Sequence, residues 1–300
     1  METPEMKQQT RMDLLNRISK VNAMCRHLMH IFHEIKHSER SSLTEANMKE
    51  LRITHSHLDL DEPCYDDSTF YKPLPKSEFP KIDWSEVHFS EWVEHYSAEP
   101  RRVEDTLQTV CNELFFAWFN DDTKQHWVQR KCYHEKPSIG TGEYTPDVPY
   151  EWRTCGDMEA TSLDHPHCIF RIIHYAVPEE PLRRGEILPI AAYMKWRAKQ
   201  LDHIKHFTFP ILVVSIFRSQ ARILQAHHDG KHLHIRKSKF YNFEENNTEN
   251  YELFARWLSG APCGATKTPL PIDGVPVNNR TIQKVDRVLE GVFGGGGGQQ

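Results

Sequence analysis

The sequence predicts an α/β protein built on a mixed sheet, and three observations carry that class. Apolar residues recur at helical spacing in two stretches, Val103-Leu107-Val110-Leu114-Trp118 and Ile187-Ile190-Ala191-Met194-Ala198-Leu201. Two others, CIFRIIHYAV at 168–177 and FPILVVSIF at 209–217, are continuous apolar runs of strand length, the pattern of strands covered on both faces. Asp229-Gly230, set between ARILQAHH and KHLHIRKS, is the turn chemistry of a hairpin.

Composition narrows the class further. The chain has 300 residues, and its 11% aromatic content, with 7 Trp, supplies surface for a real core. Apolar residues make up 38% and the mean hydropathy is -0.65, with no run of about 18 apolar residues to span a bilayer. The expectation is a protein that does not enter membranes. A formal net charge of -5 sets up no general attraction for nucleic acid, although 19 His let the charge change sign in mild acid. Residues 1–12 carry no apolar leader, and the 7 Cys are scattered without a CxxC pair. An intracellular protein with reduced thiols is expected, in cytoplasm or nucleus.

Taken in order, residues 1–60 read as an N-terminal helical arm. Leu14, Ile18, Val21, Cys25, Leu28, Phe32 and Ile35 are spaced four and three apart, an a/d seam over residues 12–36. Such a seam suits a coiled coil that docks a protein partner, or a helix packed on its own domain; Cys25 and Phe32 are poorer choices for the first. Thr44 with Glu45 opens a second, shorter helix. Residues 61–98 read as a linker with four prolines and a short helix at 90–96, its aromatics laid along a surface. Residues 99–260 form the core. A helix begins near Pro100, and strands are expected at HWVQRKCYH (126–134), YTPDVPYEW (144–152) and 168–177. A helix with Pro189 in its first turns, the strand at 209–217, the hairpin, and a short helix at 251–259 follow. Residues 261–300 are a Pro/Gly-rich loop, a helix from about 279 to 293 and a glycine tail.

This helix-strand-strand-strand-helix-strand order, with Pro146-Asp147 at the second strand, resembles the core of the PD-(D/E)XK nuclease superfamily. The stretches FPILVVSIF, ARILQAHHDG and LFARWLSG also look like uncharacterised fungal proteins that carry a degraded version of that core. The resemblance covers about half the chain. It implies a site in which carboxylates hold Mg²⁺ beside a phosphodiester, so that the ion acidifies a water and offsets transition-state charge. In such a site Asp147 matches the acid of the second strand and Glu113 is placed like the helix acid. The third strand should read E-x-K, but it offers Ile173-His174-Tyr175 or His174-Tyr175-Ala176, with neither carboxylate nor ammonium. Glu186 and Lys195 of the following helix are the residues that could project into the same cleft instead. The first expectation is therefore a non-catalytic, nuclease-like module that binds a protein or, less favoured by charge, a nucleic acid. The alternative is a Mg²⁺-dependent nuclease with a rearranged site.

The hairpin suggests a third role. With a two-residue loop, His228 faces Lys231, His227 faces His232 and Gln225 faces His234. Leu224, Ala226, Leu233 and Ile235 then share a core face. His227, His232 and His234 share the other, where three imidazoles could hold Zn²⁺ with no acid nearby as a second shell. A solvated polar face explains the same pattern. The sequence has no GxSxG, P-loop, helix-opening GxGxxG or HExxH, which sets aside the enzyme classes those motifs mark. Cys132 with His134 is better read as a structural thiol than as a nucleophile pair.

Overall fold

The structure is a computed structural model, and it describes residues 4–38, 40–63, 66–85, 87, 99–117, 121, 124–129, 151–244 and 247–294. Its centre is an eight-stranded mixed sheet. The strands are β1 (Ile53–His57), β3 (Trp127–Gln129), β4 (Trp152–Ala160), β5 (Cys168–His174), β6 (Ile211–Phe217), β7 (Gln220–His228), β8 (Leu233–Lys237) and the short β9 (Tyr241–Asn242). They lie in the order β1-β8-β7-β6-β5-β4-β3, with β9 paired to β7. A separate ribbon joins β2 (Tyr71–Lys72) to β10 (Ala261–Pro262). The expected α/β class is what the chain adopts.

Strands β5 and β6 are parallel, joined through helix α4 (Arg184–Ala198), and every residue of both is buried. That double burial explains their unbroken apolar runs, because neither face needs a polar side chain. On one face, helix α1 (Pro4–Lys36) and α4 cover Phe170, Ile172, Val213, Leu224 and Ile235. On the other, α3 (Glu99–Ala117) and α5 (Thr248–Leu258) cover Ile169, Leu212, Val214 and Ile223. The alternation of odd and even residues between two helical layers follows from the period of two along a strand.

The N-terminal arm is built into this body. Val21, Cys25, Leu28 and Ile35 of the seam, with Met24 and Ile31, are buried in the α4-side core. Arg17, a polar residue between seam positions, is buried too. Its guanidinium donates to the carbonyls of Ala198, His203 and His206, at the end of α4 and in the turn after it. Thr44 caps α2 (Glu45–Glu50), its hydroxyl accepting from the Asn47 amide at 3.2 Å. Residues 53–57 then enter the sheet as β1, parallel to β8. The arm is thus not wholly helical. An edge strand with one buried residue in five carries no apolar signal, and ITHSH is such a strand.

The segment that reads as a linker is anchored. Phe70, Tyr71 and Leu74 are buried, and the Tyr71 hydroxyl reaches the carbonyls of Cys168 and Pro210, both at 2.9 Å. Helix α6 (Asn279–Gly294) returns to α1, where Arg11 pairs with Asp286 at 2.6 Å. Among the described residues the strand that follows β3 is β4, over 152–160; residues 144–150 of the strand expected at 144–152 lie outside the described ones, as does the helix expected at 90–96.

Candidate functional site

Among the residues expected to form a metal cleft, Asp147 lies outside the described ones, and so do Cys132 and His134. The structure does not bring the other three together, which corrects the joint site read from the sequence. Glu113 is exposed on α3, beside Thr109 and Phe116. Glu186 lies on the opposite side of the sheet, in the first turn of α4, and is fully buried. Lys195 is nine residues, two and a half turns, further along α4, so it leaves from the far face of that helix. Its Nζ meets Met29 Sδ of α1 in a groove of about 300 Å³ lined also by Phe32, Trp196 and Lys199.

Glu186 is saturated. Arg222 of β7, itself fully buried, donates Nε to Oε1 at 2.8 Å and Nη2 to Oε2 at 2.5 Å. Ser215 Oγ of β6 donates to Oε1 at 2.8 Å, and the Arg183 amide to Oε2 at 2.9 Å. Burial alone would raise this carboxyl, but Arg222 outweighs it and holds the group below the ordinary carboxylate range. His174 completes the network, its Nε2 lying 2.9 Å from Ser215 Oγ and its ring stacked on Phe217. Burial drives His174 down to about 3, so it is neutral and donates to the serine. A His, a Ser and a Glu therefore stand in contact, but in the wrong order for nucleophilic catalysis. The serine proton points at the glutamate, so the imidazole cannot take it.

On the α3 side of the sheet, Arg171 of β5 holds the corresponding place. It pairs with Glu104 of α3 at 3.3 Å and donates to Gln108. Glu104 and Glu113 are nine residues apart, so they leave α3 in opposite directions, and it is Glu104 that faces the sheet. Room for the guanidinium comes from a bulge in β4 between Cys155 and Met158. Gly156 sits there with φ +57°, and a Cβ on it would lie 1.9 Å from Arg171 Nη2. Gly156→Ala is expected to cost at least about 1–2 kcal/mol for the left-handed backbone alone, with more for displacing Arg171. Urea midpoints of the two proteins check this; equal midpoints would refute the role given to the glycine. A third pair of this kind joins Glu159 of β4 to Arg197 of α4.

The histidine hairpin differs from expectation in its register. Observed partners are His228 with Leu233, His227 with His234 and Gln225 with Arg236. The loop therefore has four residues, Asp229 to His232, not two. The shift is two residues, an even number, so every side chain keeps its face. Leu224, Ala226, Leu233 and Ile235 do form a core face. The other face is covered as well. Gln225 is buried and donates to the Ser68 carbonyl at 2.9 Å, and His227 packs on Phe70 with ring centroids 4.9 Å apart.

Longer by two residues, the loop brings in the acid that the sequence reading lacked. Asp229 Oδ2 lies 2.8 Å from His234 Nε2 and 3.8 Å from His232 Nδ1. His227 instead stacks flat on His234, at 4.8 Å and 14° between rings, so its nitrogens are not part of that group. Of the expected set His227, His232 and His234, the structure brings His232 and His234 together with Asp229 and leaves the His227 nitrogens outside that group. Burial raises the Asp229 carboxyl, but hydrogen bonds from His234 and from the His232 and Lys231 amides outweigh it and leave it well below the usual range.

Neighbouring His228 turns to the opposite face, as alternation requires, and contacts α1. The Gly230 amide donates to His228 Nδ1 at 2.9 Å. That leaves His228 Nε2–H to donate to His27 Nδ1 at 2.8 Å, and His27 Nε2–H to the Leu51 carbonyl at 3.0 Å. The chain of bonds fixes both tautomers and requires both rings to be neutral. Burial agrees, lowering His228 to about 3 and His27 to about 4. Sequence reasoning missed His27, Arg171, Arg222 and Asp229; of these only Asp229, within the turn, carried a local signal. No protein-family model, curated protein or solved structure matches this chain.

Proposed function

We propose that this chain is a non-catalytic module with a nuclease-like core whose role is to bind a partner. One observation carries it: three glutamates of the core layers, Glu104, Glu159 and Glu186, are each neutralised by a buried arginine, Arg171, Arg197 and Arg222. A carboxylate committed to a guanidinium in this way has no charge left over for a divalent ion. The order α3-β3-β4-β5-α4-β6, with β5 and β6 parallel around α4, supports the resemblance to the PD-(D/E)XK core. In that frame the end of β5, where Ile173-His174-Tyr175 or His174-Tyr175-Ala176 stands in place of E-x-K, supplies neither the acid nor the lysine.

A protein partner is favoured over nucleic acid, because the net charge is negative and the groove between α1 and α4 is largely apolar. Met29 and Phe32 put part of the segment 12–36 on the wall of that groove, with Lys195 and Lys199 beside them. Among the described residues no helix is long and apolar enough to cross a membrane. An intracellular setting fits the thiols, since burial pushes Cys25 and Cys111 up to about 11 and Cys155 to about 12, which leaves them unreactive.

Incubation of the full chain with Mg²⁺ or Mn²⁺ and single- or double-stranded DNA and RNA is the test. No cleavage above a metal-free control is the expected result. Metal-dependent cleavage that Asp147→Asn abolishes would overturn the reading and establish the rearranged nuclease in its place.

A further inference from the structure

We propose that Asp229, His232 and His234, at the turn between β7 and β8, form a binding site for a divalent transition metal of the zinc class. Their ligand atoms all lie within 4.8 Å of one another. An ion bound tetrahedrally at about 2.0–2.1 Å needs ligand atoms about 3.3 Å apart. The observed separations from Asp229 Oδ2, 2.8 Å to His234 Nε2 and 3.8 Å to His232 Nδ1, lie on either side of that value. The two Asp229 separations need adjustments of about half an ångström, and rotation of the exposed His232 ring brings the third, within 4.8 Å, to the same spacing.

The groups are held for the task. Asp229 Oδ1 accepts from the Lys231 and His232 amides, both at 2.7 Å, which fixes the carboxylate and leaves Oδ2 facing the imidazoles. His234 sits on β8, between β7 and β1, with its ring braced against His227. Its other nitrogen, Nδ1, is 2.7 Å from the hydroxyl of Thr54 on β1. Metal-bound imidazoles characteristically direct their free ring N–H at such a partner.

Without an ion, the proton on His234 Nε2 bridges to Asp229, and the Thr54 hydroxyl donates to Nδ1. On binding, the ion takes the place of that bridging proton. The ring proton then resides on Nδ1 and is donated to Thr54 Oγ1, so the imidazole stays neutral, Asp229 is the one anionic ligand, and the bound ion keeps a net charge of about +1. Two imidazoles and one carboxylate favour Zn²⁺, Co²⁺, Ni²⁺ or Cu²⁺ over Mg²⁺ and Ca²⁺, which take oxygen. All three side chains are 31–40% exposed, so an ion reaches them from solvent and a fourth position remains for water. The site uses neither Asp147 nor any of the buried pairs, so it stands or falls apart from the proposed absence of nuclease activity.

The test is a titration of the chelator-treated full chain with Co²⁺, followed by its visible d–d absorption, and then displacement by Zn²⁺. One Co²⁺ per chain, displaced by one Zn²⁺, is expected. His232→Ala, in the loop and 40% exposed, leaves the fold intact by circular dichroism and is expected to weaken binding by about a hundredfold. Thr54→Val should weaken it by about tenfold while leaving the stoichiometry at one. Less than half an equivalent bound by the wild type would overturn the proposal. So would unchanged affinity in the folded Asp229→Asn/His232→Ala/His234→Gln triple variant, which would assign the ion to other histidines of the chain.

Discussion

Arg222→Met is expected to destabilise the protein by about 3–5 kcal/mol, because it leaves the Glu186 carboxylate buried without its counter-charge. The methionine fills most of the volume of the arginine stem, so the loss is electrostatic more than steric. Two further bonds disappear with it, from the guanidinium to the carbonyls of Glu180 and Pro181, and so does its contact with the Phe240 ring at 4.6 Å. Glu186→Gln alone should cost less, since its one acceptor oxygen can still take the bonds from Ser215 and Arg222 Nε, and Arg222 keeps the Glu180 and Pro181 carbonyls. The double variant Arg222→Met/Glu186→Leu is expected to recover most of the loss, as paired apolar replacement of buried ion pairs commonly does. Urea unfolding of the wild type, Arg222→Met, Glu186→Leu and their double variant gives the cycle. If Arg222→Met costs under about 1 kcal/mol, the pair is not what neutralises this acid, and Glu186 would again be a candidate for metal binding.

The same pair shows where the sequence stops being informative. The apolar stripe of α4 and the runs of β5 and β6 are local patterns, and they place those elements correctly. Glu186 reads locally as an acid near a helix start, free to point into a cleft. Its partner is 36 residues away on a strand whose register only the folded sheet defines. Arg171 is hidden in the same way, inside an apolar run, with its partners Glu104 and Gln108 on α3 more than 60 residues earlier and its space made by a glycine bulge. Strand β4 escapes notice because WRTCGDMEA contains that glycine and two acids, and its residues do not alternate cleanly.

The hairpin shows what parity preserves. An error of two in register leaves the core face right and the opposite pairs wrong. Cross-strand identity then fails: His227 meets His234, not His232, and Asp229 turns back over the strand. An acid at a turn reads as turn chemistry, so its second role as a partner of two histidines became visible only with the loop length. The seam of α1 is similar. Its spacing is compatible with a partner or with self-packing, and burial of Val21, Cys25, Leu28 and Ile35 against α4 shows where those side chains go.

The largest pH effect is expected from the histidines that are buried neutral. His27, His167, His174 and His228 are at most 6% exposed, and burial lowers them to about 4, 3, 3 and 3. Each donates a single N–H to a fixed acceptor: the Leu51 carbonyl, the Cys263 carbonyl, Ser215 Oγ and His27 Nδ1. The unfolded chain takes up protons near pH 6.5, whereas the native rings do so only near pH 3–4. Stability is therefore complete above about pH 6.5 and falls as pH drops towards the folded values. Between about pH 5.5 and 4.5 the unfolded state binds about four more protons, a slope of about 5 kcal/mol per pH unit. Against a typical native stability of about 5–15 kcal/mol, that places acid unfolding near pH 4–5. Glu186, held below the ordinary carboxylate range, adds its own loss only at lower pH, below about 4.5, so the two causes separate by window. Urea unfolding from pH 7 to 4.5 measures the slope, and His174→Phe, which removes one of the four protons, should reduce it by about a quarter. A stability that stays level from pH 6.5 to 5 would mean that these rings can be protonated in place, which the bond directions around His27 and His228 do not allow.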